Sequence, residues 1–217
     1  MREHRPVSIA DQIFENLEHD ILAGKYTRGE VLSELRLSEE LGVSRTPIRE
    51  AIRRLQQENI LEDTGHGVVV IGISREDVRD MYEIRRRVEG LAAARAAQNV
   101  TDEDLQRMRD ALDLQHFYIE KDGSDNSAQI RNLDSDFHEL LYESCGSRTY
   151  SSVLLSMHRK IMKYRRVSVK NHTRAVQAYE EHVAIYEALA AHDSDRAEKA
   201  AAYHVEKAAE SIETVEL

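Results

Sequence analysis

GVSRTPIREAIRRL, residues 42–55, is the stretch that decides how the first part of this chain folds. Its apolar residues recur at spacings of three and four, which predicts an amphipathic helix with one buried face. The buried face carries Ile48, Ala51, Ile52 and Leu55, and the first half of the helix carries four arginines, Arg45, Arg49, Arg53 and Arg54. Gly42 predicts the end of the preceding helix and Ser44 is a capping residue, so the arginines begin a new helix. A helix-turn-helix offers the start of its second helix to DNA phosphates and guanine edges in this way.

The segments on either side complete a winged helix-turn-helix. We predict two helices ahead of the arginine helix, over about residues 8–23 and 33–41. After it, residues 60–71 contain a glycine-flanked turn followed by a β-branched run, which predicts a β-hairpin. The sequence therefore predicts a DNA-binding domain over residues 1–73.

From Ser74 onward the pattern is helical throughout, and no β-branched run interrupts it. Short breaks divide this part into six predicted helices, at about 75–98, 102–121, 127–145, 148–169, 172–191 and 194–213. Because the connections are short, neighbouring helices are expected to run antiparallel as a bundle. The predicted fold class is mostly α, with a second, all-helical domain over residues 74–217.

Charge limits the kind of DNA binding that this chain can perform. The whole chain carries a formal net charge of −10, and residues 1–74 hold 9 Lys and Arg against 13 Asp and Glu, a net charge of −4. Between Ser44 and Arg54, however, four arginines face only Glu50, a local charge of +3. Groove binding responds to the local field, so the excess acid argues against a sequence-blind binder and not against a specific one.

The cysteine content and the lack of long apolar segments predict the cellular compartment of the protein. There is one cysteine, Cys145, so a disulfide framework is excluded and a reducing cytoplasm is expected. The first residues lack the apolar stretch of a signal peptide. The longest apolar run, Gly67 to Ile73, is far too short to span a bilayer, and we therefore expect no membrane partner.

A second group of residues suits a divalent metal ion. Asp134 and His138 are four residues apart and point the same way on a helix. His182 and His204 each lie eleven residues from Asp193, the predicted turn of a helical hairpin, so they sit level with each other. One carboxylate and three imidazoles suit Zn²⁺, Ni²⁺ or Mn²⁺ and leave coordination positions open.

The alternative is that each histidine is an ordinary surface or hydrogen-bonded residue, which is the commoner situation on helices. Six of the other seven histidines have no partners at comparable spacing and are predicted to have no role. They are His4, His19, His116, His158, His172 and His192.

Four stretches carry a family resemblance that spans nearly the whole chain. LSEELGVSRTPIREAIRRLQQENIL (37–61), with the Gly-His-Gly turn and the Val-rich strand after it, resembles the winged-helix domain of GntR-type bacterial transcription regulators. MYEIRRRVEGLAAARAA (81–97) resembles the first helix of the FCD effector domain in the FadR-like branch. LDSDFHELLYESCGS (133–147) and EEHVAIYEALAAHDSDRAEKAAAYHVEKA (180–208) resemble the metal-binding helices of that domain in its six-helix form.

The resemblance implies a homodimeric, ligand-responsive regulator, most often a repressor, that binds a palindromic operator in double-stranded DNA. It assigns DNA contacts to Ser44, Arg45, Thr46 and Arg49 of the recognition helix and to His66 and Gly67 of the wing. It assigns the metal to Asp134, His138, His182 and His204, the four residues already selected by spacing. Arg85 stands where the family supplies an arginine to a small carboxylate effector.

Alternatives remain open at this point. A surface salt bridge with Glu89, one turn further on, would equally explain Arg85. Two positions depart from the family pattern: Ser147, where Asn is frequent, and Leu35, where some members place an arginine that reaches DNA. The rival functions are a metal-dependent hydrolase that uses the Asp/His₃ site and an adaptor with a structural metal. The hydrolase does not account for the arginine helix.

Overall fold

The structure, a computed structural model, describes residues 8–65, 67–121, 126–168 and 172–213. His4 and His66 therefore lie outside the described residues. The chain divides into two compact units, Met1–Arg75 and Glu76–Leu217. The division falls two residues after the predicted boundary.

The first unit is a winged helix-turn-helix, as predicted. Its elements in chain order are α1 (Ile9–Leu22), β1 (Val31–Leu32), α2 (Glu34–Leu41), α3 (Arg45–Gln57), β2 (Leu61–Asp63) and β3 (Val68–Val70). The strands form an antiparallel sheet in the order β1-β3-β2, with Val31 opposite Val69 and Leu61 opposite Val70. β1 was not predicted, because two residues are too few to show an alternating pattern.

Local sequence explains most of the helix ends in this unit. Ser8 and Asp11 form a reciprocal capping box at the start of α1. Gly42 ends α2 in the left-handed region, at φ 65°, which glycine adopts without strain. Ser44 occupies the N-cap position of α3, as predicted, although its side chain makes no capping hydrogen bond. Its hydroxyl remains exposed at the helix start.

The second unit is helical, also as predicted, and each helix ends within one residue of the predicted bounds. The helices are α4 (Arg75–Asn99), α5 (Asp102–Glu120), α6 (Ser127–Ser144), α7 (Arg148–Ser168), α8 (His172–Ala190) and α9 (Ser194–Glu213). α8 packs against both α9 and α5, and α6 packs against α5 and α7. Within the described residues, no helix has the length and apolar character needed to cross a membrane.

Alanines on α4 allow the helices of this unit to approach closely. Ala92, Ala93 and Ala96 are completely buried and pack in one cluster with larger side chains such as Phe137 and Ile185. The histidines of α6, α8 and α9 that are discussed as metal ligands are also buried, so they lie in an interior with little water.

Candidate functional site

The start of α3 presents the four predicted recognition-helix residues to solvent. Ser44, Arg45, Thr46 and Arg49 are all exposed. The apolar face on the other side of the helix is buried, since Ile48, Ala51, Ile52 and Leu55 are each at most 3% exposed. The amphipathic prediction for this helix is therefore confirmed, and packing of the apolar face fixes which way the arginines point.

Glu34, the first residue of α2, binds both leading arginines. Arg45 donates one hydrogen bond from Nη2 to Glu34 Oε2 at 3.0 Å. Arg49 donates two, from Nε to Oε1 and from Nη2 to Oε2, both at 2.9 Å. The hydrogen bonds from Arg49, with a smaller contribution from Arg45, outweigh the opposing effect of burial and lower the pKa of Glu34 to about 2. The carboxylate is therefore ionised at neutral pH.

The other two arginines of the helix differ from this pair. Arg54 donates to Asp11 Oδ1 at 2.6 Å and lies over the ring of Phe14 at 4.1 Å, so it stabilises the contact between α1 and α3. Arg53 is exposed. Residues 44–54 alone carry a charge of +3, and the carboxylates of Glu34 and Asp11, which pair with three of the arginines, bring the sum for this group of residues to +1. Neither acid lies near the arginines in sequence.

The tip of the β2–β3 hairpin is shaped by its glycines. The Thr64 backbone N–H donates to the Gly67 carbonyl oxygen at 3.1 Å, which closes the turn. Gly67 has φ 141°, and a Cβ there would lie 2.9 Å from Val31 Cγ1. The close packing against β1 is therefore a sufficient reason for a glycine at position 67, just as a close approach to DNA would be.

The structure brings the three predicted histidine ligands together inside the second unit and places the fourth predicted ligand, Asp134, beside His182. Asp134 and His138 come from α6, His182 from α8 and His204 from α9, and all four side chains are buried. One ring nitrogen from each histidine lies within 4.8 Å of the others, and the rings of His182 and His204 are 4.5 Å apart. Asp134 Oδ1 lies 3.9 Å from His182 Nε2. Metal–nitrogen bonds of about 2.0–2.1 Å need only a modest contraction of this cluster.

Two carboxylates, the buried Glu89 and the partly buried Glu181, lie behind the histidines, and residue spacing in the sequence had indicated neither as part of a metal site. His204 Nδ1 is 2.7 Å from Glu181 Oε2, and Arg174 holds Glu181 with two hydrogen bonds of 2.9 and 2.7 Å. His138 Nδ1 is 3.1 Å from Glu89 Oε1 and 3.3 Å from the Tyr142 hydroxyl. With Nδ1 engaged, Nε2 is the nitrogen that each ring offers to an ion. Metal-binding histidines are commonly oriented by carboxylates in this way.

His182 supplies the test of whether these residues fit a metal. Its side chain is 0% exposed, and neither ring nitrogen has a hydrogen-bond partner among the described residues. Buried polar atoms without partners are rare and costly, and a coordinated cation would satisfy one of them. Burial and the neighbouring His204 hold the pKa of His182 well below its usual range. The ring is therefore neutral, the form that binds metals.

Arg85 lies beside this cluster. Its Nε donates to Glu89 Oε2 at 2.9 Å, and its Nη2 donates to the Tyr142 hydroxyl at 3.3 Å. The predicted ion pair with Glu89 exists, but it is not on the surface, because Arg85 is 3% and Glu89 0% exposed. Burial works against the charge of Glu89, yet Arg85 and His138 hold the pKa of this carboxyl below its usual range. Tyr142 also contacts His138, so two hydrogen bonds connect Arg85 to a predicted metal ligand.

His158 on α7 was predicted to have no role, and the structure places it in the same interior. Its ring lies 4.7 Å from that of His138, and its Nε2 lies 3.3 Å from Ser135 Oγ. The side chain is buried, and Nδ1 has no hydrogen-bond partner among the described residues. No spacing in the sequence relates His158 to the other histidines, so only the packing of α7 on α6 reveals it.

Comparison with known proteins agrees with this arrangement. Residues 9–70 match the gntR family of bacterial regulatory proteins, and residues 80–207 match the FCD domain. The transcriptional repressor RspR of Escherichia coli is 27% identical over 95% of this chain and 90% of its own length. The Uxu operon regulator of Haemophilus influenzae is 30% identical over 90% of this chain and 78% of its own length.

A solved structure supports the fold independently. The chain of Escherichia coli McbR/YncC superposes with a TM-score of 0.71 at 24% identity, covering 95% of this chain and 98% of that one. The matched families and relatives are transcription regulators, so the comparisons give the hydrolase alternative no support. This chain belongs to the GntR family of bacterial regulatory proteins, in the FadR-like branch with an FCD domain, and it is a DNA-binding transcription regulator.

Proposed function

We propose that this regulator is a cytoplasmic repressor that binds a palindromic operator as a homodimer and responds to a divalent metal and a small carboxylate. The observation that carries the proposal is the buried cluster of His138, His182 and His204 with Asp134 beside it, in which neither nitrogen of His182 has a hydrogen-bond partner among the described residues. The name of RspR as a repressor supports the direction of regulation.

The DNA contacts are assigned to the exposed start of α3 and to the wing. Arginine side chains suit guanine O6 and N7, while hydroxyls and backbone N–H groups suit phosphates. At the start of α3, the arginine contacts come from Arg45 and Arg49, and the hydroxyl contacts come from Ser44 and Thr46. At the wing, the contacts come from His66 and Gly67. A helix-turn-helix dimer places two such surfaces one helical turn of DNA apart, so the operator is expected to be palindromic.

The metal site is assigned to Zn²⁺, Ni²⁺ or Mn²⁺. A divalent ion held by one carboxylate and three neutral imidazoles keeps a net positive charge and open coordination positions, which attract a carboxylate. Arg85 already uses Nε and Nη2, so Nη1 is the nitrogen left for the far end of such an effector. The chemistry therefore favours a small acid with a second polar group, such as a hydroxy acid, a dicarboxylate or a sugar acid.

Thermal denaturation tests this proposal with a panel of small carboxylic acids of these three classes. We expect Zn²⁺, Ni²⁺ or Mn²⁺ to raise the Tm of protein treated with EDTA and then dialysed. An acid at a hundred times its Kd adds about 2.7 kcal/mol of stability, an upward shift of roughly 5 °C or more. The shift should appear only with metal-loaded protein. An acid that stabilises metal-free protein equally well would contradict a shared site.

A further inference from the structure

Among the described residues, Glu34 is the acid that joins Arg45 to Arg49. Its side chain is 24% exposed, whereas those of Arg45 and Arg49 are 58% and 50% exposed. The acid comes from the first turn of α2, and the two arginines follow each other by one turn on α3. The ion pairs that join α2 to α3 are thus made by the same two arginines that are assigned to DNA contacts.

The two arginines commit different numbers of donors to Glu34. A guanidinium carries five N–H donors, and reading guanine by two hydrogen bonds needs an adjacent pair of them. Arg49 donates from both Nε and Nη2, so one edge of its guanidinium is occupied and its plane is fixed. Arg45 donates only from Nη2, so a single hydrogen bond holds it and its guanidinium can still turn about that bond. Both arginines keep one adjacent pair of donors, but Arg45 is freer to align its pair with a base while Glu34 stays in place.

We propose that Glu34 is a positioning residue for sequence readout, which aims Arg45 at a guanine and holds the guanidinium of Arg49 in a fixed plane against a phosphate. The inference rests on the proposed DNA-binding role of α3. The carboxylate also repels phosphates, so it lowers sequence-independent affinity while it fixes the geometry on which recognition depends. Glu34 thus increases the ratio of specific to non-specific binding and not the affinity itself.

The test compares two variants of the full-length protein that lose the same charge. Glu34→Gln keeps the shape of the side chain, and Glu39→Gln is the control, because Glu39 is exposed on α2 and forms no ion pair with the described residues. Affinity is measured by fluorescence anisotropy at one salt concentration. The probes are a duplex selected by the parent protein from a random-sequence pool and a scrambled duplex of equal length.

Glu34→Gln is expected to bind the scrambled duplex at least as tightly as the parent does, while its preference for the selected duplex falls about tenfold. Base substitutions in the selected duplex locate the effect. Glu34→Gln and Arg45→Ala should lose discrimination at the same base pair, whereas Arg49→Ala should weaken binding to all duplexes about equally. Glu34→Asp keeps the charge but shortens the reach, so it should bind the scrambled duplex like the parent and still lose discrimination.

A merely electrostatic role for Glu34 would raise both affinities together and leave their ratio unchanged, as Glu39→Gln is expected to do. That result would overturn the inference. If Arg45→Ala loses discrimination and Glu34→Gln keeps it, only the positioning role fails. If Arg45→Ala itself binds the selected duplex like the parent, the recognition-helix assignment fails with it, and the two failures are therefore distinguishable.

Discussion

The variants His182→Ala and His204→Ala should each purify with less than about a tenth of the metal bound by the parent protein. Loss of a residue that merely orients a ligand typically costs ten- to a hundredfold in metal affinity, and loss of a ligand is expected to cost more. The loss should be severe for His182, whose two ring nitrogens have no hydrogen-bond partner among the described residues. Elemental analysis of dialysed protein gives the metal content directly.

A matched control separates this loss from a general effect of removing a histidine. His116→Ala changes an exposed imidazole on α5, which lies 3.6 Å from Glu120, and it should retain the metal content of the parent. Circular dichroism verifies that the helical content of each variant is preserved. Full metal occupancy in both His182→Ala and His204→Ala would show that the four residues do not form the site.

Arg45→Ala is expected to lose about 1–3 kcal/mol of binding energy for the selected duplex, the range found for a good contact between a side chain and a base. The side chain is exposed and pairs with Glu34 on the surface, so the fold of the first unit should survive the substitution. Arg49→Ala should also weaken binding, but by less if its contact is to phosphate. Anisotropy titrations at fixed salt measure both losses.

Arg54→Ala is the control on the same helix. Arg54 pairs with Asp11 and lies over Phe14, and loss of these half-exposed contacts should cost about 1 kcal/mol of stability. Its affinity for the selected duplex should stay close to that of the parent. Parental affinity in both Arg45→Ala and Arg49→Ala would remove α3 from the DNA interface.

Helix positions were predictable because the signals that end helices are local. Gly42 stops α2, Thr101 and Asp104 form a capping box at the start of α5, and Gly146 separates α6 from α7. The strand β1 escaped prediction for the opposite reason: its two residues acquire their conformation by pairing with β3, a contact between distant parts of the chain.

The same distinction holds within the candidate sites. Asp134 and His138 share a helical turn, and His182 and His204 are symmetric about a hairpin turn, so their convergence could be derived from spacing. Glu181, Glu89 and His158 could not be assigned in this way. Glu181 contacts His204 across a helix pair, Glu89 contacts His138 from 49 positions earlier in the chain, and His158 reaches the cluster from α7. Their roles depend on tertiary packing.

The DNA interface shows what charge counting along the sequence omits. A count of charges along the stretch from Ser44 to Arg54 sets the four arginines against a single acid, Glu50. In the folded unit, Glu34 lies 11 and 15 positions from Arg45 and Arg49, and Asp11 lies 43 positions from Arg54. The positive charge that this surface presents to DNA is thus smaller than the sequence suggested. This favours selective binding over strong binding.

The central claim is that a metal and a carboxylate bound in the helical unit control operator affinity. The most direct test measures the Kd for the selected duplex with and without an acid that raised the Tm of metal-loaded protein, in the parent and in His204→Ala. In the parent, the acid should change the Kd by about five- to 150-fold, the usual range of coupling between sites. His204→Ala should bind the duplex like the acid-free parent and ignore the acid. An equal response to the acid in both proteins would contradict the claim.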